Sequence, residues 1–170
     1  DDAEESHAGT LVFMLNKVAE AVEKEFPEVL VESLAYQYTR KPPKTIKPRD
    51  NVLIRLCTIE CSYIQPLSGP QNQKFAADME GWSKRAKHLF VWDYTTNYND
   101  YLGPHPNLRV LVPNVRYFVD HGAVGLFEEG EGDDFCELKN WLLLRAMWEP
   151  HLDADQLIDE FLRGYYGEAV

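Results

Sequence analysis

Three short apolar runs in this sequence each end abruptly in acidic or aromatic residues. They are residues 89–97 (LFVWDYTTN), residues 52–59 followed by Glu60, and residues 123–127 followed by Glu128 and Glu129. Apolar runs of this length, bounded by turn signals, are typical of strands buried inside a parallel sheet. Because α/β folds place their working residues where such strands end, we expect these side chains to line a cleft.

Helical patterns separate the apolar runs. The spacing of apolar residues predicts helices at residues 10–26, 71–89 and 135–148, a short helix from Pro113 to a stop at Gly122, and a last helix opened by a capping box of Asp153 and Gln156. The expected buried stripe of the first helix consists of Leu11, Leu15, Val18, Val22 and Phe26. The helical tryptophans Trp82, Trp141 and Trp148 are predicted to lie in the core.

Residues 31–39 read as a further strand, which brings the predicted number to four. Strands that alternate with helices indicate parallel β/α units, and four such units are half of a (β/α)8 barrel. The fold class is therefore α/β, as one partial barrel domain over residues 1–170. A half barrel leaves two strand edges unpaired. We expect the chain to be a segment of a longer protein, to associate with itself, or to form an open sheet, and its acidic start without Met fits a mature form or a fragment.

The bulk composition excludes several classes of function. A net charge of −11 argues against a nucleic-acid partner, and there is no apolar run of membrane-spanning length. Three cysteines are an odd number and so do not form a complete disulfide framework, and the histidines lack metal-ligand spacing. Residues 130–132 (GEG) are acidic and would repel phosphate. We therefore expect no cofactor and no metal.

Longer stretches of the sequence resemble a known family. They are AYQYTRKPP from Ala35, VLIRLCTIECSYIQPL from Val52, GWSKRAKHLFVWDYTTNY from Gly81, PNVRYFVDHGAVGLFEEGE from Pro113 and LIDEFLRGYYG from Leu157. In this order they are similar to the bacterial domain-of-unknown-function family numbered 4838. The resemblance implies the C-terminal half of a TIM barrel related to glycoside hydrolases, an exported (secreted or periplasmic) protein, and a carbohydrate substrate. One departure is Glu129, where many members have a Gln. Since adjacent strand residues point to opposite faces, either Glu128 or Glu129 is expected to face the cleft.

Glycoside hydrolysis needs two carboxyl groups that flank the scissile bond. The carboxylates at the predicted strand ends are Asp93, Glu128 and Glu60, and we expect Asp93 and Glu128 to be catalytic, with Glu60 in support. The alternative is that these carboxylates cap helices or pair with an arginine such as Arg55 or Arg116.

Aromatic rings near the strand ends are candidate sugar platforms, because pyranose C–H groups stack on aromatic faces. The predicted substrate-binding residues are Tyr38, Tyr63, Trp92, Tyr94, Tyr98, Tyr101 and Glu129. Strand alternation places Trp92 and Tyr94 on the face opposite Asp93. Besides a glycoside hydrolase, two further functions stay open. One is a carbohydrate-binding barrel without catalysis, and the other is a scaffold whose active residues lie upstream.

Overall fold

The computed structural model describes residues 1–130, 132 and 134–169. Glu131 of the GEG motif, Asp133 and Val170 lie outside the described residues. The helices are α1 (Ala8–Glu23), α2 (Gln73–Ser83), α3 (Leu108–Asp120), α4 (Cys136–Trp148) and α5 (Ala154–Tyr166). The strands are β1 (Val31–Ala35), β2 (Val52–Cys57), β3 (His88–Tyr94) and β4 (Ala123–Glu129). Short 3-10 turns occupy Asp2–Glu4, Gln37–Thr39, Pro70–Asn72 and Gly167–Ala169.

The four strands form one parallel sheet in the order β1-β2-β3-β4. Each strand therefore pairs with the strand that follows it in sequence, as expected for successive β/α units. This arrangement confirms the predicted fold class, since four parallel strands flanked by helices are consistent with half of a β/α barrel. None of the described helices has the length and apolar character needed to cross a bilayer.

One side of the sheet packs against the helices. Ile54, Leu89 and Val91 join residues of α1 and α2 in the main core, and Phe118 of α3 extends it. A second cluster joins α3, α4 and α5, and Leu126 of β4 contacts both clusters. The opposite side carries Arg55, Phe90 and Trp92, and we call it the open face. Its exposed apolar side chains include Leu34 and Phe127.

The first helix buries a different stripe from the predicted one. Small residues form most of the buried face, which consists of Ala8, Gly9, Val12, Leu15 and Ala19. Of the predicted stripe, Val18 and Phe26 are exposed. The prediction is confirmed for Leu15 and wrong for Val18 and Phe26, because it followed the largest apolar residues, whereas a helix lying close to a sheet favours small side chains at the contact.

Two further helix predictions need correction. Helix α2 ends at Ser83, six residues early, because the apolar period of Ala86 and Leu89 runs on into the start of β3. Pro113 lies inside α3 rather than at its start. The predicted stop at Gly122 is confirmed, with a φ of 82° that favours glycine.

The tryptophans split between core and surface. Trp82 is fully buried, and its Nε1–H donates to the Arg40 carbonyl at 2.7 Å. The prediction was wrong for Trp148, which is 91% exposed. The capping box is present in part, since the Asp153 side chain accepts a hydrogen bond from the Gln156 N–H at 2.9 Å.

The connection from β1 to β2 contains no α-helix, and side chains of the N-terminal segment hold it in place. Asn16 of α1 donates to the Lys47 carbonyl and accepts from the Arg49 N–H, both at 2.9 Å. Glu4 accepts from the Thr45 N–H at 2.6 Å. These bonds replace the backbone pairing that a crossover helix would supply.

Candidate functional site

The carboxyl ends of β3 and β4 meet in register at one edge of the sheet. Asp93 pairs with Glu128, and Tyr94 pairs with Glu129. Alternation along the two strands sends Asp93 and Glu128 to the helix-facing side, together with Val91. The next residue of each strand points to the open face. The edge therefore carries two carboxyl groups on the helix-facing side of the sheet and one, that of Glu129, on the open face.

Asp93 and Glu128 form a buried carboxyl pair. Asp93 is 5% exposed, and both carboxyl oxygens of Glu128 are inaccessible to solvent. Glu128 receives no N–H or hydroxyl donor from the described residues, and its carboxyl group hydrogen-bonds to that of Asp93. Thr58 Oγ1 donates to Asp93 Oδ1 at 2.5 Å and accepts from the Tyr94 N–H at 3.0 Å. Thr58 thus ties the end of β2 to the pair.

This pair binds protons more tightly than ordinary carboxyl groups do. Burial raises the pKa of Asp93 to about 6, against the hydrogen bonds it receives from Thr58, Glu128 and the Tyr94 backbone. Burial, together with the adjacent negative charge of Asp93, raises the pKa of Glu128 well above its usual value. A proton on Glu128 that is donated to Asp93 satisfies both groups, because two bare carboxylates in contact repel each other.

Glu60 belongs to a different cluster. Its carboxylate pairs with Arg40 Nη1 at 2.8 Å, and Arg40 Nε binds Asp78 Oδ2 at 2.8 Å. Arg40 itself is buried. The sequence left open that a strand-end carboxylate pairs with an arginine. Glu60 makes this kind of ion pair, with Arg40. The structure brings Asp93 and Glu128 together and gives Glu60 other partners.

The open face carries an aromatic-acid cluster at the same edge, formed by Trp92, Tyr94, Tyr98 and Glu129. Trp92 Nε1–H donates to Glu129 Oε2 at 2.5 Å. The Trp92 and Tyr94 rings are stacked with centroids 6.0 Å apart, and Tyr98 meets Tyr94 edge-on at 5.9 Å. The Tyr98 hydroxyl donates to the Glu129 carbonyl at 3.2 Å. Three of the predicted sugar-contacting rings therefore surround the carboxylate.

The other predicted tyrosines lie around or away from this cluster. Tyr101 extends it, with an edge-on contact to Tyr98 at 6.3 Å. The Tyr63 hydroxyl donates to the Ile59 carbonyl at 2.7 Å, and its ring contacts His105. Tyr38 is exposed and contacts the His7 ring. The catalytic and binding roles that the sequence indicated for all these residues stay predictions.

The surroundings of Glu129 keep its neighbours in their neutral forms. Burial, reinforced by negative groups that include Glu129, raises the pKa of Tyr94 to about 12. Burial and the Glu129 charge also raise the pKa of Cys57 to about 12, against the effect of Arg55. Burial and a hydrogen bond to Glu129 raise the pKa of Tyr98 as well. The cluster therefore offers hydroxyl donors and a carboxylate rather than phenolate or thiolate groups.

Arg55 is a cation in contact with the cluster. Its guanidinium lies over the rings of Phe90 and Trp92, 4.5 and 5.8 Å from their centroids. Its Nε pairs with Glu32 Oε1 at 2.5 Å. The positive charge of Arg55 is thus compensated on the open face itself, toward the other end of the strands.

Sequence reasoning missed Thr58, although a signal was present. This residue follows the apolar run of β2 directly, and a hydroxyl at the end of a buried strand needs a polar partner. Among the residues that the structure describes, no three His, Cys, Asp or Glu side chains group closely enough to hold a metal ion. None of the three cysteines, which all lie in the part of the chain that the structure describes, forms a disulfide.

Comparison with known families adds one finding. The profile of a family described as Domain of unknown function (DUF4838) matches residues 2–170. No curated protein matches the sequence significantly. No solved structure matches it significantly either.

Proposed function

The chain belongs to the DUF4838 family, and from this premise we propose that it forms part of a glycoside hydrolase-like protein that binds glycans at the carboxyl ends of its strands. The observation that carries the proposal is the Glu129 carboxylate, held by Trp92 among aromatic rings on the open face. Barrel enzymes bind substrates at this end of the sheet.

The aromatic-acid cluster has the chemistry that a sugar ring requires. Flat rings such as Trp92 and Tyr94 accept the apolar C–H face of a pyranose. A carboxylate and neutral phenol hydroxyls bind the sugar hydroxyls. Because Glu129 is already oriented by the Trp92 N–H, little side-chain freedom is lost when a ligand binds.

Within this proposal the two acidic groups have different roles. A glycosidase pair must leave about 5 Å or more between carboxyl groups so that the sugar fits between them. The carboxyl groups of Asp93 and Glu128 are in direct contact and are both buried. We therefore assign them to positioning, since each adjoins a residue of the cluster along its strand. Glu129 is the carboxylate that faces the sugar, and its catalytic partner belongs to strands of the barrel that this sheet does not contain.

A binding and hydrolysis experiment tests the proposal. Calorimetric titration of the chain with a panel of neutral, acidic and amino-sugar oligosaccharides should give at least one binder. Trp92→Ala should weaken that binding about tenfold or more, because it removes both a stacking ring and the donor to Glu129. Glu25→Gln, an exposed residue beyond α1, is the control. Absence of binding to every member of the panel would contradict the proposal.

A second candidate function is glycan binding without hydrolysis. It is favoured by the composition of the aromatic-acid cluster, which contains one carboxylate where hydrolysis needs two. Reducing-sugar release by the longest available form of the protein separates the two functions. Hydrolysis that is lost in Glu129→Gln while binding is retained supports the enzyme. Binding without any hydrolysis supports the binding protein.

A further inference from the structure

The charge balance around the aromatic-acid cluster is negative. Glu129 contributes one negative charge on the open face. The proton-sharing pair of Asp93 and Glu128 contributes another directly behind it. Arg55, which lies over the Trp92 ring, is compensated by Glu32. A ligand that enters the cluster therefore meets a net negative potential with aromatic walls.

Aromatic walls around a carboxylate favour a cation over a neutral group. The ring faces of Trp92 and Tyr94 carry negative electrostatic potential, and a cation gains energy over such faces. A charge-assisted hydrogen bond to Glu129 is stronger than one from a neutral hydroxyl. An acidic sugar, in contrast, would place a second carboxylate beside Glu129 and be repelled.

From these observations, and resting on the proposed function, we infer that the cluster binds an amino sugar through its free ammonium group. The ammonium would donate to the Glu129 carboxylate and lie against the Tyr94 and Tyr98 rings. Substrates of this class are glycans that contain unacetylated hexosamine, and their N-acetylated counterparts are expected to bind more weakly.

A matched pair of ligands tests this inference. Glucosamine oligomers and N-acetylglucosamine oligomers of equal length differ at the amine, which is charged in one and neutral in the other. Calorimetric titration at a pH where the amine is protonated, and at low salt, should give about tenfold tighter binding of the amino oligomer. In Glu129→Gln, which still accepts from Trp92, the preference should fall to about twofold or less.

The control must separate binding at this site from the general electrostatic attraction of a cationic ligand to the chain, which carries a net charge of −11. Glu25→Gln removes one charge elsewhere and should keep the tenfold preference. An equal preference in wild type and Glu129→Gln would overturn the inference, because the selectivity would then come from overall charge. A circular dichroism melt of each variant verifies that it is folded.

The remaining outcomes distinguish the inference from the function on which it rests. If both oligomers bind with equal affinity, the inference is wrong and the proposed glycan binding stands. If neither oligomer binds but a neutral or acidic glycan does, the inference is again wrong and the proposed function is kept. If no glycan binds at all, the proposed function is contradicted, and the inference with it.

Discussion

Asp93 and Glu128 occupy the same register position on neighbouring parallel strands, and their carboxyl groups hydrogen-bond to each other away from solvent. Two carboxyl groups can share such a position when one of them keeps its proton. The pair therefore links the strand register at the site to the protonation state of the folded chain.

The first prediction concerns the pH dependence of stability. Burial raises the pKa of Asp93 from 3.8 to about 6 and that of Glu128 well above 4.5, so the folded chain holds protons that the unfolded chain releases. The stabilisation from this pair is complete below about pH 4 and is lost as the pH rises through about 6 and beyond. For Asp93 the loss is on the order of 3 kcal/mol. Urea unfolding between pH 4 and 8 measures it.

Isosteric variants isolate that contribution from the other carboxylates of the chain. Glu128→Gln keeps a donor to Asp93 but needs no proton, so the variant should be at least as stable as wild type at pH 8 and its stability should fall less from pH 4 to 8. Wild-type and variant curves that stay parallel over this range would show that the pair does not titrate there.

The second prediction concerns Thr58, which bridges β2 to the carboxyl pair. Thr58→Val keeps the shape but leaves the buried Tyr94 N–H and the Asp93 carboxyl without the hydroxyl. We expect a loss of about 1–3 kcal/mol in the free energy of unfolding. Thr58→Ser, which keeps the hydroxyl, should lose less than Thr58→Val. The idea fails if Thr58→Ser is the more damaging change of the two.

The third prediction compares two helical glycines that should respond to alanine in opposite ways. A Cβ at Gly81 of α2 would lie 2.5 Å from Cγ of Pro42, whereas a Cβ at Gly164 of α5 would meet nothing within 4 Å. Gly81→Ala should destabilise by about 1–3 kcal/mol through overpacking. Gly164→Ala should stabilise by about 0.5–1 kcal/mol through helix propensity. Thermal melts that shift in the same direction would refute this reading.

The fourth prediction concerns the close approach of β4 to Phe90. A Cβ at Gly125 would lie 2.3 Å from Cε2 of Phe90, whose ring also carries the Arg55 guanidinium. Gly125→Ala should cost about 1–3 kcal/mol. Phe90→Leu should relieve part of that cost, giving a favourable coupling in a double-mutant cycle. Strictly additive effects would mean that the two side chains do not compete for space.

The sheet was predictable because three of its strands, β2, β3 and β4, are compact apolar runs with polar ends. The two sides of the sheet at the site were harder to foresee. The register of β3 and β4 shifts between Leu89 and Phe90. Leu89 pairs with Ala123 and Phe90 pairs with Gly125, so Val124 has no partner position on β3. This irregularity shifts, by one residue, the alternation of β4 side chains between the two faces of the sheet, and it does so before Glu128 is reached. The isolated Gly125 was its sequence signal, since such a glycine often marks a bulge or a close backbone approach.

Helix boundaries and tertiary partners were beyond the reach of pattern reasoning. The apolar period of α2 continues through Ala86 to Leu89 by coincidence, because Leu89 is buried in β3 instead. The ion pairs of Arg40 join Glu60 and Asp78, which are 18 positions apart in sequence and meet through folding alone. A single sequence contains no direct record of such contacts.

The anchored connection between β1 and β2 has a consequence for limited proteolysis. An irregular, lysine-containing loop is ordinarily an early cleavage site, because a protease needs to draw a stretch of chain into its active site. Here Asn16 of α1 and Glu4 before it hold the loop backbone on both sides of Lys47. Tryptic cutting after Lys44 therefore requires these contacts to release first. When protease is limiting, the rate of this cleavage would report the free energy needed to break the contacts between the N-terminal segment and the loop.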